Sequence, residues 1–231
     1  SGNYNGTAQG TITYTSPGRP NLNFQGDIVS TVSVNSKGGF SIVKWDATTT
    51  VSHTVGHGLS VKPRMIIMKN ASTSSRNWFV YTDIIDGSLD YLYLNATNIK
   101  ANSTRNVPTS TVFDQGNLGG VSAGNDCIAY CFTDVTGYQK IGTYTGNGSS
   151  SGPTITTGFQ PTWIMIKNTS GYNSWAIVDS VRGGNQELYA NLTDADNTYT
   201  VLNFLSDGFQ IINTANGYNA NGSTYLYLAI A

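Results

Sequence analysis

The sequence predicts an all-β protein, a tandem pair of β-sandwich, jelly-roll-like units related by internal duplication. Three observations lead there. Helix-favouring surface residues are scarce, with Glu187 the sole Glu, while Thr, Val, Ile, Tyr and Trp accompany 26 glycines, a composition of strands and turns. Short apolar or alternating runs recur between Gly, Asn, Ser and Pro clusters, about one every 8 to 15 residues, the rhythm of a sandwich and not of βαβ units. One run also occurs twice: residues 62–70 read KPRMIIMKN and residues 160–168 read QPTWIMIKN.

Four apolar residues entered by Pro and left by Lys-Asn describe a fully buried strand, with Pro at its start, where no ladder N–H is needed. The echo extends both ways. Upstream, residues 40–45 answer 139–144; downstream, 78–81 answer 175–178, 92–95 answer 188–191, and 127–132 answer 225–230. Landmarks in one order, with drift confined to Gly/Ser/Asn-rich joins that tolerate insertion, define two units, 38–135 and 136–231.

Residues 1–37 lack the landmarks and read as a lead-in, either a linker from a longer protein or an added strand pair. Alternating pieces at 10–14 and 27–34 flank a Pro17-Gly18-Arg19-Pro20 turn. In the first unit, strands are expected at 40–45, 53–55, 64–69, 78–82, 91–94, 110–113 and 127–133. In the second they fall at 140–145, 154–157, 163–167, 175–179, 187–190, 201–204, 209–212 and 224–231. Within 175–179, Trp175, Ile177 and Asp179 share one face and Ala176 and Val178 the other. The Asp207-Gly208 step before Phe209 predicts a hairpin. Met65, Ile67, Trp163 and Met165 are expected in the core, one core per unit, and Trp78 and Trp175, which recur at matched positions, join them.

Charged residues make up 11% of the chain and the net charge is −1, so the basic stripe that nucleic acids require is missing. No run of about 18 apolar residues predicts membrane insertion. Cys127 and Cys131 share a strand face, but their Cα atoms would lie roughly 13 Å apart, too far for a disulfide, so buried free thiols are expected. His53 and His57 flank a Gly-rich turn without a third ligand at matching spacing, so no metal is assigned, and no cofactor. Asp83, Asp86, Asp90, Asp179, Asp194, Asp196 and Asp207 could supply a carboxylate pair for glycoside hydrolysis, yet most adjoin Gly, Asn or Ser in turns, where Asp serves the backbone. Asn-x-Ser/Thr recurs from Asn5 to Asn221, as an Asn/Ser/Thr-rich composition produces by chance.

The series FSIVKW, TVGHGLSVKPRMIIMKN, WFVY, LYLN, AYCF, GYQKIGTYTGNG, TGFQPTWIMIKNTS, SWAIVDSVRG, LYAN, FLSDGFQI and NGSTYLYLAIA resembles a domain of unknown function found in bacteriophage tail and fibre proteins, especially of phages of marine bacteria and cyanobacteria. The resemblance covers residues 38–231. It implies an exterior virion structural protein, extracellular and concerned with attachment, whose partners are a host surface glycan or receptor and other virion proteins. Fibre proteins are commonly homotrimers. It brings no catalytic residues.

Tyrosine, at 14, is the most suggestive composition signal, and Tyr172, Tyr189, Tyr199, Tyr218 and Tyr225 fall near loops or strand ends together with Asn and Asp. Aromatic faces against sugar C–H surfaces, with amides or carboxylates for hydroxyls, are the chemistry of sugar recognition. The ligand-binding residues expected from this are Tyr172, Arg182, Asn185, Tyr218 and Asn219, in the loops 169–173, 182–186 and 215–221. Arg182 is placed to take a sugar carboxylate or phosphate, against a structural bond to a neighbouring turn. The rival readings are a decoration protein without a ligand and a polysaccharide depolymerase.

Overall fold

The computed structural model describes residues 21–231, and every regular element in them is a β-strand. The 10–14 piece, the Pro17–Pro20 turn and the Asn5 sequon lie outside the described residues. In chain order the first strands are β1 (Asn21–Asn23), β2 (Ser30–Asn35), β3 (Phe40–Asp46), β4 (Thr54–Gly56), β5 (Met65–Asn70), β6 (Phe79–Thr82), β7 (Asp90–Tyr93), β8 (Ala101–Asn102), β9 (Val112–Asp114) and β10 (Asp126–Phe132). They continue as β11 (Gln139–Thr145), β12 (Thr154–Thr156), β13 (Trp163–Asn168), β14 (Ala176–Asp179), β15 (Gln186–Tyr189), β16 (Asn197–Thr198), β17 (Leu202–Leu205), β18 (Gly208–Ile211) and β19 (Thr224–Ile230).

An eight-stranded antiparallel sheet runs β1-β2-β3-β10-β5-β6-β7-β8, and a six-stranded sheet runs β11-β19-β13-β14-β15-β16. Two small sheets, β4-β9 and β12-β18-β17, accompany them. From β3 and from β11 onward the large sheets have the same strand order, and the register agrees. Cys127 pairs with Trp45 and Asn70, and Tyr225 pairs with Tyr144 and Asn168. Strands β1 and β2 pair on the outer side of β3, so residues 21–35 belong to the first sheet. The expected hairpin at Asp207 is there, with Leu205 opposite Gly208.

The side chains form three cores, not one per unit. Trp45, Val55, Ile66, Met68, Phe113, Cys127 and Cys131 fill the space between the first large sheet and β4-β9. Tyr144, Ile155, Ile164, Ile166, Phe209 and Tyr225 do the same between the second large sheet and β12-β18-β17. The outer faces then pack on each other, with Met65, Ile67, Val80 and Leu92 from one half meeting Ile141, Met165, Trp175, Leu226 and Leu228 from the other. Each doubled apolar run therefore feeds two cores, its alternate residues pointing opposite ways, because the pleat has a period of two. Met65, Ile67, Met165 and Trp175 are buried as expected, whereas Trp78 and Trp163 are only half-buried at the rim of the central core.

Polar bonds repeat as well. The Trp78 N–H donates to Asn95 Oδ1 at 2.8 Å and the Trp175 N–H to Asn191 Oδ1 at 2.9 Å. Asn70 Oδ1 accepts from Ser72 N–H and Asn168 Oδ1 from Ser170 N–H, which ties off each doubled run. Between the halves, the Trp175 indole donates to the Tyr93 carbonyl at 2.8 Å. The fully buried Lys167 donates to the carbonyls of Thr97, Asn168 and Gly171. Burial pulls its pKa down to about 8, so at neutral pH it remains an ammonium held by three oxygens.

Candidate functional site

A cleft of about 360 Å³ opens at the edge of the second large sheet. Its floor is β15, where Glu187 and Tyr189 alternate onto one face while Leu188 points away. Three loops supply the walls. The 171–174 turn, closed by Asn173 N–H to the Gly171 carbonyl, brings Tyr172, Asn173 and Ser174. The β16 edge brings Asn197 and Tyr199, whose N–H donates to the Asn185 carbonyl at 2.9 Å. The 215–218 turn, closed by Tyr218 N–H to the Ala215 carbonyl, brings Tyr218. Thr97 reaches in from the first half, positioned by the Lys167 bond.

Four of the five tyrosines singled out in the sequence thus meet in one place. Tyr172 stands 71% exposed on the rim and Tyr199 40% exposed opposite the floor. The Tyr199 and Tyr218 rings lie 6.1 Å apart at 42°. Tyr225 is elsewhere: it is buried in the inner core, stacked on Tyr144.

Glu187 is 1% exposed, and its two oxygens accept from the Tyr189 and Tyr218 hydroxyls, one each. Burial and then the bond to Glu187 push both phenols above the usual tyrosine pKa, so they stay protonated donors. A carboxylate so held has one donor on each oxygen, and it fixes the two rings. Among the residues lining the cleft none is Lys or Arg.

The other expected ligand residues lie outside the cleft. Arg182 donates through its backbone N–H and its guanidinium to Asp179, and it lies 3.8 Å from Asp196. Burial pushes Asp179 up, but the backbone and side-chain bonds from Arg182 outweigh it and hold the carboxyl below its ordinary value. Arg182 is a turn brace, the structural alternative. Asn185 is exposed and serves through its backbone carbonyl. Asn219 is fully buried, its amide bonded to Asn147 N–H, Asn147 Oδ1 and the Ser149 carbonyl, so it offers nothing to a ligand. Tyr218 lines the cleft from its turn, but it is buried and not an exposed loop residue.

Glu187 is what sequence reasoning missed. Its signal was there: the one Glu of the chain, two residues before a tyrosine in a strand, hence on that tyrosine's face. Other candidate chemistry disperses. The thiols of Cys127 and Cys131 are buried and free, pushed up by burial to about 11 and about 12. Among the described residues no group of three or more His, Cys, Asp or Glu is gathered as a metal site would need.

No curated protein and no solved structure matches the chain. A family model described as a domain of unknown function, DUF7483, matches residues 1–231, and the chain belongs to that family.

Proposed function

We propose that the protein is an exterior phage virion component, an attachment module whose second half binds a host-surface glycan in the tyrosine cleft. The observation that carries this is the cleft itself: four tyrosines from separate loops and a strand, with Asn173, Ser174, Asn197 and Thr97 between them. Tyrosine rings cover sugar C–H faces and amides and hydroxyls satisfy sugar hydroxyls, at low entropy cost because tyrosine has two side-chain torsions. The phage origin rests on the resemblance of the ordered motifs, and the near-neutral, amide-rich composition suits a subunit packed among other virion proteins, as in a trimer. The engaged state of Glu187 favours binding over glycoside hydrolysis, which needs a carboxyl free to give up its proton.

We infer as well that the two halves are copies of one unit. Supporting this are the shared strand order and register and the repeated Trp-to-Asn and Asx-turn bonds.

The test is a glycan array probed with the purified protein and with Tyr172→Ala and Tyr199→Ala. Both rings are well exposed, so the variants should fold normally and lose signal. Retained binding in both would remove the cleft as the site; an array without any hit would favour the decoration protein.

A further inference from the structure

We propose that the cleft selects a ligand bearing an organic ammonium group, so that the glycan it takes is an amino-sugar polymer or one decorated with a choline-type head, and not an acidic polysaccharide. This deepens the glycan reading and rests on it.

The argument starts from charge. The floor carries the Glu187 carboxylate, buried beneath the rings, and no lining residue is cationic. The three cations nearest in sequence to the lining residues are spent: Lys100 on Asp86 and Asp90, Arg182 on Asp179 and Asp196, Lys167 on three carbonyls. A uronic acid or phosphate would therefore bring a second negative charge toward a buried first one, with amide and hydroxyl donors but no lining cation to balance it.

An ammonium meets the opposite situation. Aromatic faces attract cations within about 6 Å of the ring centre, and a set of rings around a quaternary or protonated amine is the usual way proteins hold such groups. Here Tyr172, Tyr189, Tyr199 and Tyr218 line one cleft with a carboxylate that is 1% exposed. The Tyr189 and Tyr218 O–H groups are committed to Glu187, and the rings most exposed to a ligand are Tyr172 and Tyr199. A neutral sugar gains the stacking but none of this electrostatic term.

The experiment is titration of the full chain, followed by NMR of the tyrosine rings and by calorimetry, with four probes: a glucosamine tetramer at a pH where its amines are protonated, its N-acetylated neutral counterpart, a galacturonate tetramer, and choline. The expected result is that the glucosamine tetramer or choline binds about tenfold more tightly than the neutral tetramer, that galacturonate does not bind, and that Glu187→Gln removes the difference. Choline tighter than glucosamine would identify the decorated glycan, the reverse an amino sugar. Because Glu187→Gln alters a buried group, Tyr172→Ala, on the rim, is the second variant and should weaken the amine probes. Neutral and amine tetramers binding alike, or galacturonate binding best, overturns the inference while leaving the glycan reading standing. Choline binding with no tetramer bound supports the choline-decorated polymer and sinks the amino-sugar one, and no binding by any probe sinks both the inference and the glycan reading.

Discussion

Truncating Trp175 tests whether the halves share a core. Its side chain is 1% exposed in the central core, and its indole N–H bonds the Tyr93 carbonyl of the other half. Trp175→Ala should therefore cost about 3–5 kcal/mol, the range for a fully buried large aromatic. Trp175→Phe keeps most of the apolar surface and loses one hydrogen bond, about 1 kcal/mol. Trp163, half-buried at the rim of the same core, should cost roughly half as much on truncation as Trp175, about 2 kcal/mol. Equilibrium unfolding in urea, read by far-UV circular dichroism, gives all three numbers. In Trp175→Ala the single transition should also begin to separate into two, because what couples the halves has been removed. Equal costs for Trp163→Ala and Trp175→Ala, or no cost for Trp175→Phe, would refute the shared core.

Three further outcomes are expected. His57 is fully buried, its Nδ1 accepts the Leu59 N–H at 3.2 Å, and burial lowers its pKa from 6.5 to about 4. The unfolded chain binds the proton more readily, so this stability is complete above pH 6.5 and is lost as pH falls from there toward 4, about 3 kcal/mol in all; denaturation midpoints of His57→Gln should lack that part of the slope, and parallel curves would contradict it. Asn219→Ala strips three part-buried bonds from the 147–151 turn and should cost about 2–3 kcal/mol, seen as a lowered Tm, where a ligand residue would leave Tm unchanged. Cys127 and Cys131, buried with raised pKa values, should resist a thiol reagent until the protein unfolds, and the double Ala variant should keep its oligomeric state; rapid native labelling would be the contrary result.

The strands were legible because the chain punctuates them. Pro and Asn bound the 65–70 and 163–168 runs, and alternation marks Cys127, Ala129 and Cys131 on one face. The strands without an apolar signal, Ala101–Asn102 and Asn197–Thr198, were not legible; they exist because a neighbouring edge offers bonds. What covers the outer face of each large sheet was also hidden, since four consecutive apolar residues report burial on both sides without saying against what. At the site, tyrosines beside amides pointed to five rings, of which Tyr172, Tyr189, Tyr199 and Tyr218 line the cleft while Tyr225 packs in the inner core, and only Tyr172 and Tyr218 were expected as ligand residues. The same amides misled at Asn185 and Asn219, because an Asn in a Gly-rich turn as readily serves its own backbone as a ligand.

The contrast between the halves explains why the cleft lies in the second. In the first, Phe79 pairs with Tyr93 and Tyr81 with Tyr91, four rings whose neighbouring centroids lie 5.0 to 6.0 Å apart, and Leu118 is buried against the same core. In the second, Ala176 stands opposite Tyr189 as Phe79 stands opposite Tyr93, and Glu187 sits two residues before Tyr189 as Tyr91 does before Tyr93. Ala176, where the first half has the Phe79 ring, leaves room above the strand. A carboxylate in place of the inner tyrosine then needs donors, and the hydroxyls of Tyr189 and Tyr218 supply them. If the halves are copies of one unit, one has closed this position with packed rings and the other has opened it around a charge, so that the features that would bind a ligand are the ones that depart from the repeat.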